Sequence, residues 1–285
     1  MPTISEKLRL NRDSLTRSER QLSDVILQNY PASGLGTITS LAAAADVSTP
    51  TVARLVQKLG FSGFPEFQKN LRLELNEKIS SPLTKREEWV DDAPPEHLLN
   101  RFTKAVIANI GQSMAKIDPQ DFETACDLLS DEARRVFVVG GRITRTLADY
   151  FFLHFQVVRS DVVHIASNSN AWPHYVLDLK PGDVVVVFDV RRYENSTLRL
   201  AELAVDRGAK IVLFTDQWMS PIAQLASVCF TNQITVPSAW DSNVTTLLMT
   251  ELVIAEVQER NWEQTRDRME VLEDMFDRTK FFRKF

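Results

Sequence analysis

The sequence predicts an α/β protein in two parts: an N-terminal all-helical helix-turn-helix domain, joined to a doubly wound parallel-sheet domain. Two observations predict it. Before residue 60, helix-period segments are separated by a turn of three residues. After residue 134, five short apolar runs alternate with helical patterns, which is how a sheet buried on both faces reads. The expected boundaries are 1–78 for the helical domain, 79–97 for a linker, 98–260 for the sheet domain with its leading helices, and 261–285 for a C-terminal helix.

The first helix is signalled by "LTRSERQLSDVILQNY", where Thr16-x-x-Glu19 is a capping-box spacing and Leu22, Val25, Ile26 and Tyr30 keep a helical period. "TITSLAAAA" gives a short second helix with Ile38, Leu41, Ala42 and Ala45 inward, and Asp46–Ser48 form a tight turn. "TPTVARLVQKLG" is the third, with Ser48 at its N-cap, Pro50 in its first turn and Gly60 at its C-terminal end. Val52, Leu55, Val56 and Leu59 form its buried stripe. Pro50, Arg54, Gln57 and Lys58 fall on the opposite face, flanked by Thr51.

A helix lying in a DNA major groove needs such a face. N-terminal hydroxyls and backbone N–H groups meet phosphates, and long polar side chains reach base edges. The residues expected at duplex DNA are Ser48, Thr49, Pro50, Thr51, Arg54, Gln57 and Lys58. A solvated face on an ordinary three-helix bundle is the competing reading. Charge adds little: residues 1–78 hold 10 Lys/Arg and 8 Asp/Glu, in a chain of net charge −5. Phe61, Phe64 and Phe67 then read as an apolar corner closing the domain.

"NEKISSPLTKREEWVDDAPPEH" is polar, contains proline and keeps no period, so it reads as the linker. Beyond it, helical patterns run through Leu98–Ile117 and, after Asp118-Pro119, through Leu129. The strand runs are "RVFVVGG", "VVHIA", "DVVVVF", "KIVLFTD" and "VCFTN", with helices expected near 144–158, 195–207, 220–226 and 241–260. Ligands of such sheets bind beyond the carboxyl ends of the strands. Those ends are "GGRIT", "ASNSN", "FDVRRYE" and "TDQWMSP", which "PSAWDS" can join. The cations Arg191 and Arg192 directly after a buried strand stand out. They can grip an anion through a guanidinium fork, or pair with Asp189, Glu194 or an acid of another subunit.

The order of these segments resembles the RpiR/MurR family of bacterial transcription regulators. "LAAAADVSTPTVARLVQKLGFSGFPEFQ" is similar to that family's DNA-binding domain, and "PGDVVVVF", "LAELAVDRGAKIVLFTD" and "SPIAQLASV" resemble its SIS (sugar isomerase) domain. The resemblance implies a dimeric or tetrameric repressor or activator in which an SIS-like domain senses a small metabolite and controls carbohydrate or related genes. The family's Gly-x-Gly-x-Ser becomes Gly140-Gly141-Arg142-Ile143-Thr144 here. Its Ser-x-Ser-Gly-x-Thr becomes Asp189-Val190-Arg191-Arg192-Tyr193-Glu194. The expected effector is therefore anionic, a sugar phosphate or a sugar acid, but not held by the usual serines and glycine. Its expected contacts are Gly141, Arg142, Thr144, Asp189, Arg191, Arg192, Ser238, Asp241 and Ser242.

Other classes fit less well. A sugar-phosphate isomerase on the same sheet needs a positioned base, and Glu251 or His174 can be nominated without belonging to any recognisable set. The nicotinamide fingerprint G-x-G-x-x-G fails at Gly140–Arg145. No catalytic residue and no cofactor is expected. Cys126 and Cys229 stand apart without a CxxC, and the four His are scattered, so neither a disulfide nor a metal site is expected. No apolar run reaches the roughly 18 residues a bilayer span needs. "MPTISEKLRL" has no secretory h-region, so the expected place is the cytoplasm.

Overall fold

A computed structural model describes residues 3–28, 30–91 and 97–283. The chain divides into two compact units, residues 1–94 with 238–240 and residues 95–237 with 241–285.

The first unit is helical: α1 (Ile4–Leu10), α2 (Arg17–Gln28), α3 (Ile38–Ala44), α4 (Thr49–Lys58), α5 (Phe64–Ile79) and α6 (Pro82–Asp91). The capping box predicted at α2 is present: Thr16 N donates to Glu19 (2.8 Å) and Glu19 N to the Thr16 hydroxyl (3.4 Å). Helix α1 was not expected. Its sequence signal is the same spacing, Thr3-x-x-Glu6, which forms a complete capping box. The end of α4 is set by Gly60 at φ +88°, where Gly60 N donates to Gln57 O and Phe61 N to Val56 O, a Schellman closure. Leu22, Leu41, Val52, Leu55 and Phe67 meet in one core, and Phe67 contacts Phe61 and Phe64 as the closing apolar corner. Much of the linker expected over 79–97 is helical. Helix α5 runs on to Ile79 and residues 82–91 are helical, because Pro82 opens a helix in its tolerated first-turn position. Residues 92–96 of that segment lie outside the described residues.

The second unit holds α7 (Leu98–Met114), α8 (Pro119–Ser130), β1 (Val136–Gly140), α9 (Arg145–Val158), β2 (Val162–His164), α10 (Trp172–Asp178), β3 (Val184–Phe188), α11 (Asn195–Asp206), β4 (Lys210–Asp216), β5 (Val228–Asn232), α12 (Val244–Arg260) and α13 (Trp262–Thr279). The five strands are the five expected runs. They form one parallel sheet in the order β2-β1-β3-β4-β5. Their alternate residues feed two cores. Val138, Val186 and Phe214 pack under α9 and α12, while Val139, Val187 and Leu213 pack under α10 and α11. Burial on both faces is why β1 and β3 read as unbroken valine runs. The helix expected near 220–226 is only a 3₁₀ turn, Pro221–Gln224, and α10 is an addition.

The topology places the functional edge. Adjacent strands β1 and β3 send their following helices, α9 and α11, to opposite faces of the sheet. Beyond their carboxyl ends lies the switch point, the place where doubly wound sheets bind ligands in a crevice.

Candidate functional site

Two surfaces carry chemistry, one on each unit. On the first, α4 buries Val52, Leu55 and Val56 and turns Ser48, Pro50, Arg54, Gln57 and Lys58 outward, with Thr49 half-buried. Two of the seven residues expected at DNA, Thr51 and Lys58, are engaged within their own domain. Thr51 is buried, its hydroxyl 3.0 Å from that of Ser48 and accepting from Arg54 Nη2 at 3.2 Å. Its position, one residue before Val52, turns it toward the core. Ser48 occupies the N-cap, yet its hydroxyl caps no backbone N–H and faces Thr51 instead. Lys58 is turned back onto its own domain, donating to Ser14 O (2.6 Å) and Glu19 Oε2 (3.1 Å). Burial raises the Glu19 pKa, but hydrogen bonds from Thr16 and Lys58 outweigh it and hold the carboxyl below its ordinary value. Arg54 and Gln57 are thus the long polar side chains left facing outward.

On the second unit, the loop after β1 is shaped by close backbone approach. A Cβ at Gly140 would lie 2.6 Å from the backbone C and O of Thr144, so only glycine fits. The buried Thr144 hydroxyl accepts from Gly141 N (2.9 Å) and donates to Phe188 O (2.7 Å), tying this loop to the end of β3. Glu194, the N-cap residue of α11, leaves its own helix uncapped; its Oε1 accepts from Arg142 N at 2.6 Å across the crevice. Arg142 and Arg192 have exposed side chains.

Arg191 lies differently. Its guanidinium grips Asp241 with both prongs, Nε to Oδ2 at 2.8 Å and Nη2 to Oδ1 at 2.7 Å. It stacks over the Trp218 ring at 3.9 Å, and its side chain is 3% exposed. Arg191 and Asp241, both expected at the ligand, bind each other here, and Arg191 takes neither Asp189 nor Glu194 as its fork partner. The Arg191–Arg192 peptide bond is cis.

Beneath this pair sits a buried carboxylate that the sequence reading did not nominate. Asp216, the last residue of β4, accepts from Arg191 N (2.7 Å), Tyr193 OH (2.6 Å) and Trp218 N (2.9 Å). Its burial raises its pKa, and burial together with the Asp216 charge raises that of Tyr193. Asp189 is also buried rather than presented to solvent, accepting from Ser220 Oγ at 2.5 Å. Burial, with Asp216 and Glu194 adding negative charge, lifts the Asp189 carboxyl to about 7. The signal available in the sequence was Asp216 at a strand end, followed two residues later by Trp218. Ser242 is buried and accepts from Val244 N (3.4 Å) at the start of α12, whereas Ser238 accepts from Trp240 N (3.2 Å) in an exposed turn. Of the nine expected effector contacts, Gly141, Arg142, Thr144 and Arg192 therefore flank the β1/β3 crevice. Asp189, Arg191 and Asp241 brace it, and Ser242 builds the start of α12.

The nominated bases are dispersed. Glu251 on α12 accepts from Tyr150 OH (2.8 Å), and His174 is exposed on α10.

Comparison with known proteins bears on both surfaces. Residues 3–81 match the family described as the rpiR-family helix-turn-helix domain, and residues 129–256 match the SIS domain. The HTH-type transcriptional regulator HexR of Pseudomonas aeruginosa is 29% identical over 239 residues, 80% of this chain and 78% of its own length. HexR of Escherichia coli K12 is 26% identical, over 79% of this chain and 76% of its own. The bifunctional protein glk of Burkholderia mallei is 29% identical over 79% of this chain, which spans 34% of that longer protein. Among solved structures, the sugar isomerase domain of an RpiR transcription factor from Sphaerobacter thermophilus superposes with a TM-score of 0.58 at 21% identity, covering 62% of this chain and 97% of that one. The Vibrio vulnificus NanR protein complexed with ManNAc-6P superposes with a TM-score of 0.57 at 16% identity, covering 96% and 98%. These two likenesses establish the shared fold.

Proposed function

Because the chain belongs to the RpiR family of transcription regulators, with its helix-turn-helix and SIS domains, we propose that it regulates genes of carbohydrate or related metabolism in response to a small anionic effector, a sugar phosphate or sugar acid. The observation that carries this reading is the pairing of an outward Arg54 and Gln57 on α4 with a polar crevice at the β1/β3 switch point. Arg54 and Gln57 read base edges, while the start of α4 meets phosphates. The exposed cations Arg142 and Arg192 attract the effector to the crevice. The molecule acts in the cytoplasm as a dimer or tetramer, with paired α4 helices in major grooves about one DNA turn, or a multiple, apart. Among the described residues no helix is long and apolar enough to cross a membrane.

The test is selection of genomic DNA fragments by the full-length protein, followed by binding isotherms at fixed salt with and without phosphosugars and sugar acids. Specific sites whose affinity shifts with one of these compounds support the reading. Affinity no higher than for random DNA overturns it.

An isomerase-type enzyme on the same sheet is the second reading, since residues 129–256 match the SIS domain. The separation of Glu251, engaged by Tyr150, from the exposed His174 argues against an assembled acid–base pair. Steady turnover of a sugar phosphate by the purified chain would favour the enzyme.

A further inference from the structure

We propose that Glu194 is the specificity gate of the effector crevice: its carboxylate is an internal oxyanion seated on the Arg142 backbone N–H, and a ligand's oxyanion binds by displacing it. The inference rests on the effector reading above and deepens it.

The position is the first argument. The contact joins the loop after β1 to the loop after β3, the pair whose helices diverge to opposite faces, so the carboxylate stands in the switch-point crevice itself. Its approach is the second. Glu194 lies so close over Gly141 that a Cβ there would come within 3.1 Å of Oε1 and 3.3 Å of Cδ. Glycine lets an anion reach the backbone at that point, and the anion there is the chain's own. The third is what Glu194 gives up. As N-cap residue of α11 it could satisfy that helix's first N–H groups, but its side chain makes no such bond and crosses to Arg142. The wholly buried Thr197 hydroxyl, in the first turn of α11, has no hydrogen-bond partner among the described residues. An unmade buried hydrogen bond is costly, which lowers the cost of moving this turn.

The gate has a chemical consequence. A ligand oxyanion and Glu194 cannot share the Arg142 N–H, because two like charges at contact distance repel strongly. Displaced from the crevice, the Glu194 carboxylate is free to swing toward solvent, since the contact is exposed. A phosphoryl group, with more charge and three acceptor oxygens, competes for the amide better than a carboxylate does. Arg191 cannot take over as the seat for the ligand without abandoning Asp241.

The test compares the full-length protein with Glu194→Gln and Glu194→Ala, titrated separately with inorganic phosphate and with gluconate at constant ionic strength, and read by calorimetry and by thermal shift. Removing the competing charge is expected to tighten phosphate binding about tenfold or more in both variants. Tighter gluconate binding with phosphate unchanged would assign the ligand to the sugar acids; the reverse would assign it to phosphoryl compounds. Equal affinity of wild type and both variants for both probes overturns the gate and leaves the effector site standing. Folded variants that bind neither probe overturn both the gate and the anionic effector reading, while DNA selectivity, measured separately, is untouched by either result.

Discussion

Arg191 and Asp241 form a two-pronged ion pair, at 2.8 and 2.7 Å, that ties the loop after β3 to the segment leading into α12. The pair is nearly dry on the arginine side and lies against the Trp218 ring. Removing one partner of such a pair strands the other charge, which costs about 3–5 kcal/mol when burial is complete. Asp241→Asn is expected to fall toward the lower end, because the Asp241 side chain keeps 17% exposure. Arg191→Lys should not rescue stability, since an ammonium cannot reproduce the fork or the stacking. Arg192→Ala, on an exposed side chain, should change stability by no more than about 0.5 kcal/mol. Urea unfolding midpoints at equal m-values separate these outcomes. If Arg191→Ala is as stable as wild type, the pair is not structural.

The same comparison separates the two adjacent arginines by function. Arg192→Ala should weaken the effector's influence on DNA binding without altering the fold, whereas Arg191→Ala should lose both together. A normal effector response in Arg192→Ala removes it from the ligand surface.

On the DNA-binding unit, Arg54 and Lys58 separate in the same way. Arg54→Ala should weaken operator binding by about 1–3 kcal/mol and relax base preference at one position, as loss of a base contact does. Lys58→Ala should instead lower stability, since Lys58 holds Ser14 O and Glu19. Its effect on DNA affinity at a salt concentration where both proteins are folded should be small. A steep loss of affinity with an unchanged unfolding midpoint would return Lys58 to the DNA face.

These contrasts mark how far the sequence could be read. Strands β1 and β3 were legible because they are buried on both faces and leave no polar residue to break the run. Helix α1 was missed although Thr3 and Glu6 carry the capping spacing. The helix within the linker was not legible because polar residues without an apolar stripe say nothing about whether a helix forms. At the site, the loops were legible from topology, but the partners were not. Which acid Arg191 takes depends on where residues 50 positions away arrive, and no local pattern encodes that. The placement of Lys58 was illegible for a smaller reason: a helical wheel gives the direction of Cα–Cβ, not where a flexible side chain ends.

The buried Glu74 predicts a pH dependence of known sign. Its carboxylate accepts from Ile4 N (2.9 Å) and from the Tyr30 hydroxyl, and burial, with Glu77 and Glu6 nearby, lifts it to about 7. Unfolded, a glutamate titrates near 4.3. Between those values the folded state holds more protons, so stability falls as pH rises from about 4 to about 7. Glu74→Gln abolishes this one contribution. The stability difference between wild type and Glu74→Gln should therefore shift in favour of the variant between pH 4.5 and pH 8. A difference that does not move with pH would mean that Glu74 is ionised throughout.

Gly140 and Gly141 are neighbours, yet alanine should do different things at each. At Gly140 the added methyl would meet the backbone of Thr144 and Arg145 at 2.6–2.7 Å. Backbone cannot swing aside, so the loop must move, at a cost of about 1–3 kcal/mol. That movement also breaks the Thr144 bond to Phe188 O, and with it the tie between the β1 and β3 ends. At Gly141 the nearest atom belongs to the Glu194 carboxylate, at 3.1 Å, the far end of a flexible side chain. Here the methyl can be accommodated by letting Glu194 go. Gly140→Ala is thus expected to lower the unfolding midpoint clearly. Gly141→Ala should leave the midpoint close to wild type and speed hydrogen exchange at the Arg142 amide, which loses its acceptor. Slow exchange at Arg142 in Gly141→Ala would show that Glu194 holds that amide more firmly than its contacts indicate.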